Sequence, residues 1–191
     1  TQVGGSVIRP AAYCGNWALK PTFGGINRGE RLTYSHSVIG THANCAEDMW
    51  TVSMEMALRA GGDSGCLGLM GPRETPAAQK PQRLMLMQTG GWAKLDAASR
   101  SAFEKIITGV RRQGVEVVER KDSVHLEAFE QSIAEAKAMN DDICAFEMRW
   151  TFANLAEQFP TGLSKKALSK LGRGNEMTVE DYRKRLMERE Y

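Results

Sequence analysis

The sequence predicts an α/β fold in which helices flank a sheet of β-strands. Residues 83–88 have the pattern of a buried strand, residues 96–113 that of an amphipathic helix, and residues 115–118 that of a second strand after Gly114. These three elements form a βαβ unit, whose strands are parallel and can be neighbours, and whose crossover is right-handed in nearly all known cases. With 191 residues, of which 42% are hydrophobic, the chain can bury one sizeable core.

Before this unit, one helix and one long loop are predicted. A helix is expected over residues 46–60, because apolar side chains recur there at helical spacing and are expected to pack in the core: Met49, Val52, Met56 and Ala60. Glycines and prolines are spread through residues 61–81. They predict a loop, which we expect to be disordered, and no linker between separate domains is evident.

After the βαβ unit, the sequence predicts helices to the end of the chain. Helical periodicity covers residues 126–138, 142–158 and 165–171. A last helix is expected to begin at Thr178, because a threonine followed three residues later by Asp181 is a capping pattern. Within the second of these helices, Glu147 and Arg149 are expected to be exposed charges beside Trp150, a core aromatic residue.

The composition argues against several classes of partner. The formal net charge is +2, from 25 basic and 23 acidic residues, so neither nucleic acid nor a membrane surface is expected as a partner. No apolar run approaches the roughly 18 residues of a membrane span, and no signal peptide is visible. A homodimer stays open as an alternative.

Metal, disulfide and cofactor chemistry is also not indicated. The cysteines lack Cys-x-x-Cys spacing and are expected to be small buried side chains in a reducing, cytoplasmic compartment: Cys14, Cys45, Cys66 and Cys144. His36 and His42 flank Gly40, but no carboxylate or third ligand stands at suitable spacing. We therefore expect no metal and no cofactor.

Residues 1–24 carry the strongest functional signal. Two glycines directly before Ser6 let the backbone turn tightly enough to expose the hydroxyl and to aim successive N–H groups at one point, where an oxyanion would form. Acyl transfer needs that combination of nucleophile and donors. The motif continues with Arg9-Pro10, then Ala-Ala-Tyr-Cys-Gly at residues 11–15, and Leu-Lys-Pro-Thr-Phe-Gly at residues 19–24.

These five pieces, in this order, resemble the serine motif of the amidase signature family. The resemblance implies a large α/β domain on a mixed sheet, and hydrolysis of a small-molecule carboxamide through an acyl-enzyme made by a serine, cis-serine and lysine triad. Ser6 matches the nucleophile of that family. The backbone N–H groups that match its oxyanion hole belong to Val3, Gly4, Gly5 and Ser6, and the candidate orienting residues are Thr1 and Arg9.

The chain also departs from the family pattern, which indicates a divergent subgroup. The family arginine usually comes two residues after the serine, where this chain has Ile8 and places the guanidinium at Arg9. Many relatives have Asp in place of Gln2. Residues 34–40 resemble a family segment that reads Ser-Leu-Asp-Gln-Ile-Gly, with Ser37 where the acid usually stands.

The family's lysine and bridging serine precede the nucleophile motif, and this chain begins five residues before Ser6. We therefore expect residues 1–191 to be the middle part of a single amidase-like domain, with its N-terminal lysine region and C-terminal part missing. Its resemblance to the family is specific over residues 1–48 and rests on element order afterwards. The 191 residues alone are expected to be inactive.

Two alternatives of other classes stay open. N-terminal nucleophile hydrolases expose a threonine by self-cleavage and use its α-amine as base, which would give Thr1 the catalytic role. In the second alternative, the chain is a divergent relative that keeps the fold, binds a partner and has no chemistry.

Overall fold

A computed structural model describes residues 5–29 and 35–190. These residues form helices and short strands in mixed order, separated by loops and by two 3₁₀ helices over Trp92–Lys94 and Arg120–Asp122. The elements are α1 (Ile8–Cys14), β1 (Trp17–Leu19), β2 (Thr41–Ala43), α2 (Ala46–Ala60), β3 (Arg83–Met85), α3 (Ala97–Arg112), β4 (Glu116–Val118), α4 (Val124–Gln158), α5 (Lys165–Glu176) and α6 (Val179–Glu188).

The described residues divide into two compact units. The first contains the described residues up to 77 together with 142–187, and the second contains residues 78–141 and 188–190. Helix α4 contributes residues to both. The α/β class is confirmed, with more helix and smaller sheets than the sequence analysis expected. No helix of the described part of the chain is both long enough and apolar enough to cross a bilayer.

In the first unit, β1 and β2 form an antiparallel pair in which Ala18 stands opposite His42. Helix α2 packs against both strands. The predicted bounds of α2 are confirmed, and its start is capped by the Cys45 thiol, which accepts a hydrogen bond from the backbone N–H of Asp48. Its predicted core stripe is partly wrong. The helix buries Ser53, Met54 and Ala57, whereas Val52 and Ala60 are exposed, because the two strands cover a neighbouring stripe of its surface.

The loop over residues 61–81 is irregular, as predicted, but its first part is not disordered. Backbone hydrogen bonds tie it to the glycine-rich segment before residue 30, from Asn27 N–H to Gly61 O, from Asp63 N–H to Gly24 O and from Leu69 N–H to Gly25 O. Gly24 has a positive φ of 71° and lies against Cys66, whose Sγ would be 2.5 Å from a Cβ at that position. Glycine is required there by both conformation and space.

In the second unit, β3 and β4 are parallel neighbours with Leu84 opposite Val117, which confirms that part of the predicted βαβ unit. Helix α3 connects them and is capped by Asp96, whose carboxylate accepts from the N–H of Ser99 at 2.7 Å. The prediction of a buried first strand is wrong: Met85 is 65% exposed. A sheet of two short strands offers too little area to bury both of its faces.

The C-terminal helices are longer than predicted. The two stretches expected over residues 126–138 and 142–158 are one helix, α4, because the intervening Met-Asn-Asp contains no helix breaker and Lys137 pairs with Asp141 across one turn at 2.5 Å. Helix α5 continues past two glycines to Glu176. The predicted cap of α6 is confirmed, since Thr178 and Asp181 exchange hydrogen bonds between side chain and backbone.

Candidate active site

Ser6 lies half-buried in the turn that leads directly into α1. Gly5 holds this turn with a positive φ of 78°, a conformation that glycine adopts at little cost and other residues adopt under strain. The carbonyl of Gly5 accepts a hydrogen bond from the backbone N–H of Arg9 at 2.8 Å. The tight turn expected at the motif is thus present at its described end, from Gly5 onward.

The other predicted site residues are placed unevenly. Thr1, Val3 and Gly4 lie outside the described residues. Arg9 is exposed on α1, and its guanidinium folds back over the turn, so that a Cβ on Gly5 would stand 3.3 Å from Nη2 of Arg9. This places a positive charge beside the Ser6 turn, one position later than the family motif has it.

Residues 35–40 lie against the Ser6 turn. Gly40 is packed so closely that a Cβ there would be 2.7 Å from Cγ1 of Val7 and 2.6 Å from the carbonyl oxygen of Leu19. A larger residue would push the segment off both the turn and β1. The segment that resembles the family's Ser-Leu-Asp-Gln-Ile-Gly is therefore brought next to the residue that follows Ser6.

Arg28 connects this segment to the loop after α2, and sequence reasoning missed it. Its Nη1 donates to the carbonyl oxygen of Ser37 at 2.9 Å, and its Nε lies 2.5 Å from the carboxylate of Asp63. Its guanidinium also lies 4.4 Å from the centroid of the Phe23 ring. The ion pair is largely buried, with 11% and 14% of the two side chains exposed. A lone arginine in a glycine-rich loop was the only signal in the sequence.

The Asp63 carboxylate accepts hydrogen bonds from the backbone N–H and the guanidinium of Arg28, and these hold its pKa below the ordinary value. A lowered folded-state pKa stabilises the fold in full above the pKa of an unfolded aspartate, about 3.9, and this stabilisation is lost as the pH falls further. We expect Asp63→Asn to lower the free energy of unfolding by about 1.5 kcal/mol at neutral pH, and the difference from wild type to shrink below about pH 4.

Urea unfolding at a series of pH values measures this difference. Glu157→Gln, which removes an exposed carboxylate on α4, is the control and should leave the difference near zero throughout. A gap between wild type and Asp63→Asn that stays constant or widens in acid would contradict the assignment.

Several other predictions for individual residues need correction. Cys14 is exposed, whereas only Cys144 of the cysteines is fully buried. Trp150 is 70% exposed, so it is not the core aromatic that was expected. Glu147 is half-buried and hydrogen-bonded, so the expected roles are reversed on α4. Among residues 5–29 and 35–190, no three His, Cys, Asp or Glu side chains come together as a metal site.

Comparisons with known proteins agree on one family. A family model described as Amidase matches residues 1–190. Curated relatives carry the name of the A chain of glutamyl-tRNA(Gln) amidotransferase. The protein of Methanococcoides burtonii is 44% identical over 54 residues, which are 27% of this chain and 11% of that relative. The protein of Picosynechococcus sp. is 30% identical over 125 residues, which are 61% of this chain and 26% of that relative.

A solved structure supports the same fold. The crystal structure of an amidase superposes with a TM-score of 0.64 at 18% sequence identity, and the match covers 99% of this chain and 39% of that one. The chain thus spans well under half the length of the relatives that it matches. A likeness at this level of identity supports the arrangement of elements and says nothing of substrate.

Proposed function

The chain belongs to the amidase family, and on that premise we propose that Ser6 is the nucleophile of a hydrolase that cleaves carbon–nitrogen bonds through an acyl-enzyme. The observation that carries the proposal is the glycine-enforced turn at Gly5, which delivers Ser6 to the start of α1. Amide N–H groups of such a turn are the donors that an oxyanion requires.

In the proposed reaction, Oγ of Ser6 attacks the carbonyl carbon of a carboxamide, and its proton passes to a base. The carbonyl becomes an oxyanion, held by the backbone N–H groups of Val3, Gly4, Gly5 and Ser6. Collapse of this intermediate breaks the carbon–nitrogen bond, and ammonia or an amine leaves with a proton. Water then hydrolyses the ester on Ser6, which releases the acid and restores the hydroxyl.

We assign no lysine of this chain as the base. Lys20 is the nearest in sequence, but it follows the nucleophile motif, and its Nζ donates to the carbonyl oxygen of Pro21 at 3.3 Å. The family resemblance places the lysine and the bridging serine before the motif. We therefore propose that residues 1–191 alone release no ammonia from carboxamides, whereas the full-length protein encoded by its gene does. Ammonia release from a panel of aliphatic and aromatic amides tests both statements.

Gly5→Ala is expected to slow amide hydrolysis by the full-length protein about 10- to 100-fold, because alanine at a φ of 78° strains the turn that places Ser6. Gly15→Ala is the matched control. Gly15 has a similar φ of 67° at the other end of α1, and a Cβ there meets no atom within 4 Å. Steady-state kinetics and urea unfolding of both variants provide the comparison.

Both variants should lose similar stability, and only Gly5→Ala should lose activity. Equal losses of activity in the two variants would mean that general strain in α1, rather than the geometry at Ser6, limits the reaction.

A second candidate function is that of one component of an amidotransferase, which the names of the curated relatives favour. Release of ammonia from an amide by Ser6 would then serve a partner that uses the nitrogen. The two candidates differ in a measurable way: a hydrolase releases ammonia alone, whereas a component of this kind would reach full turnover only with its partner present.

A further inference from the structure

The segment 35–40, which contacts the Ser6 turn at Gly40, is held at its other end by α4. The carboxylate of Glu147 accepts a hydrogen bond from the backbone N–H of Ser35 at 2.8 Å. Glu147 lies 112 residues further along the chain, so no local pattern joins the two. The contact fixes where the segment begins, as the Gly40 contact with Val7 fixes where it ends.

The Glu147 carboxylate is itself held in place by α6. Its second oxygen accepts from the hydroxyl of Tyr182 at 2.7 Å. The Tyr182 ring stacks on Phe146, with centroids 4.4 Å apart and planes inclined by 14°. The guanidinium of Arg149 lies 3.5 Å from the centroid of the same Phe146 ring. Glu147 is thus a half-buried charge with two defined donors, which is the pattern of a fixed carboxylate rather than a solvated one.

Two further contacts hold the middle of the segment. Nδ1 of His36 lies 4.0 Å from Sγ of Cys144, which is 1% exposed. The carbonyl of Ser37 accepts from Arg28. The segment is therefore anchored at its first three residues and at Gly40. A displacement at Ser35 would be transmitted to Gly40 and from there to Val7.

We propose that Glu147 is a positioning residue for Ser6, acting through segment 35–40; the proposal rests on the proposed function of Ser6. Loss of the carboxylate leaves the Ser35 amide without this acceptor and lets the segment shift, which loosens the packing of Gly40 on Val7. Small displacements of a nucleophile reduce the rate of attack while leaving substrate binding largely unchanged. The effect of Glu147 should therefore fall on the maximal rate rather than on affinity.

The test compares Glu147→Ala and Glu147→Gln in the full-length protein, using a fluorophosphonate and amide hydrogen exchange. Glu147→Ala should lower the maximal labelling rate about tenfold with no change in the half-saturating concentration. It should also raise exchange about tenfold in peptides that cover residues 5–14 and 35–43. Glu147→Gln should restore most of both, because its amide oxygen still accepts from Ser35. Glu157→Ala, at an exposed position of α4, should match wild type.

Faster exchange confined to residues around 35 and 147, with residues 5–14 unchanged, would overturn the proposal. So would a Glu147→Gln variant as slow as Glu147→Ala. If Glu147→Ala does not fold, Tyr182→Phe replaces it: this variant keeps the ring stack, removes one donor to Glu147, and should produce a smaller effect in the same direction, whereas no effect would count against the proposal. If wild type is not labelled at all, the proposed function of Ser6 fails, and exchange at residues 5–14 still decides whether Glu147 positions the turn.

Discussion

Replacement of Ser6 by alanine is expected to abolish amide hydrolysis by the full-length protein, with a loss of about 10⁴-fold or more in kcat. Alanine removes only the hydroxyl oxygen from a half-buried side chain, so the turn at Gly5 and the packing of Val7 on Gly40 should persist. Unfolding stability and KM for a slowly hydrolysed amide should therefore change little. Initial rates of ammonia release, measured at saturating amide, provide the number.

Ser101→Ala is the matched control for this experiment. Ser101 is exposed on α3, in the other compact unit, and loss of its hydroxyl should leave the rate at the wild-type value. Residual activity of Ser6→Ala above a hundredth of wild type would mean that another group attacks the amide. Thr1 would then be the next candidate, and Thr1→Ala would test it.

The largest expected loss of stability is at Gly174, where α5 meets α4. A Cβ at this position would overlap the carbonyl oxygen of Ala145, stand 2.9 Å from its carbonyl carbon and lie 3.1 Å from Cβ of Arg149. Backbone of a buried helix cannot move aside as a flexible side chain does, so Gly174→Ala should force α5 away from α4. We expect a loss of about 3 kcal/mol in the free energy of unfolding.

Gly172→Ala is a control in the same helix. Gly172 is exposed, and a Cβ there meets no atom within 4 Å, so alanine should raise the free energy of unfolding by about 0.5–1 kcal/mol through better helix propensity. Urea unfolding of the two variants should give shifts of opposite sign. A stabilised Gly174→Ala would show that α5 does not lie against Ala145 as described.

The elements that the sequence predicts well are those specified by local signals. Helix α2 begins after a capping side chain at Cys45 and ends at Gly61, and α6 begins at the Thr178 and Asp181 pair. The parallel pairing of β3 with β4 follows from the strand, helix and strand pattern. In each case, the signal lies within a few residues of the element that it specifies.

The predictions that fail depend on what packs against an element. The pattern of residues 83–88 does not reveal that β3 belongs to a two-stranded sheet, and the spacing of apolar residues in α2 does not reveal which stripe β1 and β2 cover. The join between the two predicted helices in α4 depends on the absence of a breaker, which periodicity weighs poorly. Burial is a tertiary property, and a single sequence indicates it only indirectly.

The same division applies to the candidate site. Ser6 and Gly5 could be identified from contiguous residues, because a glycine turn before a serine is a local motif. Arg28, Asp63 and Glu147 could not, because their partners lie 9 to 112 residues away in the chain. The support of the site is thus made by long-range contacts, although its reactive group is visible in the sequence.

The most direct test of the central claim is identification of the residue that forms the covalent intermediate. The full-length protein would be treated with a fluorophosphonate and digested with trypsin, and the peptide that ends at Arg28 would be sequenced by mass spectrometry. Prolines follow Arg9 and Lys20, so Ser6 stays in this peptide. We expect a single phosphonyl adduct, located on Ser6. An adduct on Thr1 or elsewhere, or no adduct on the folded protein, would contradict the account.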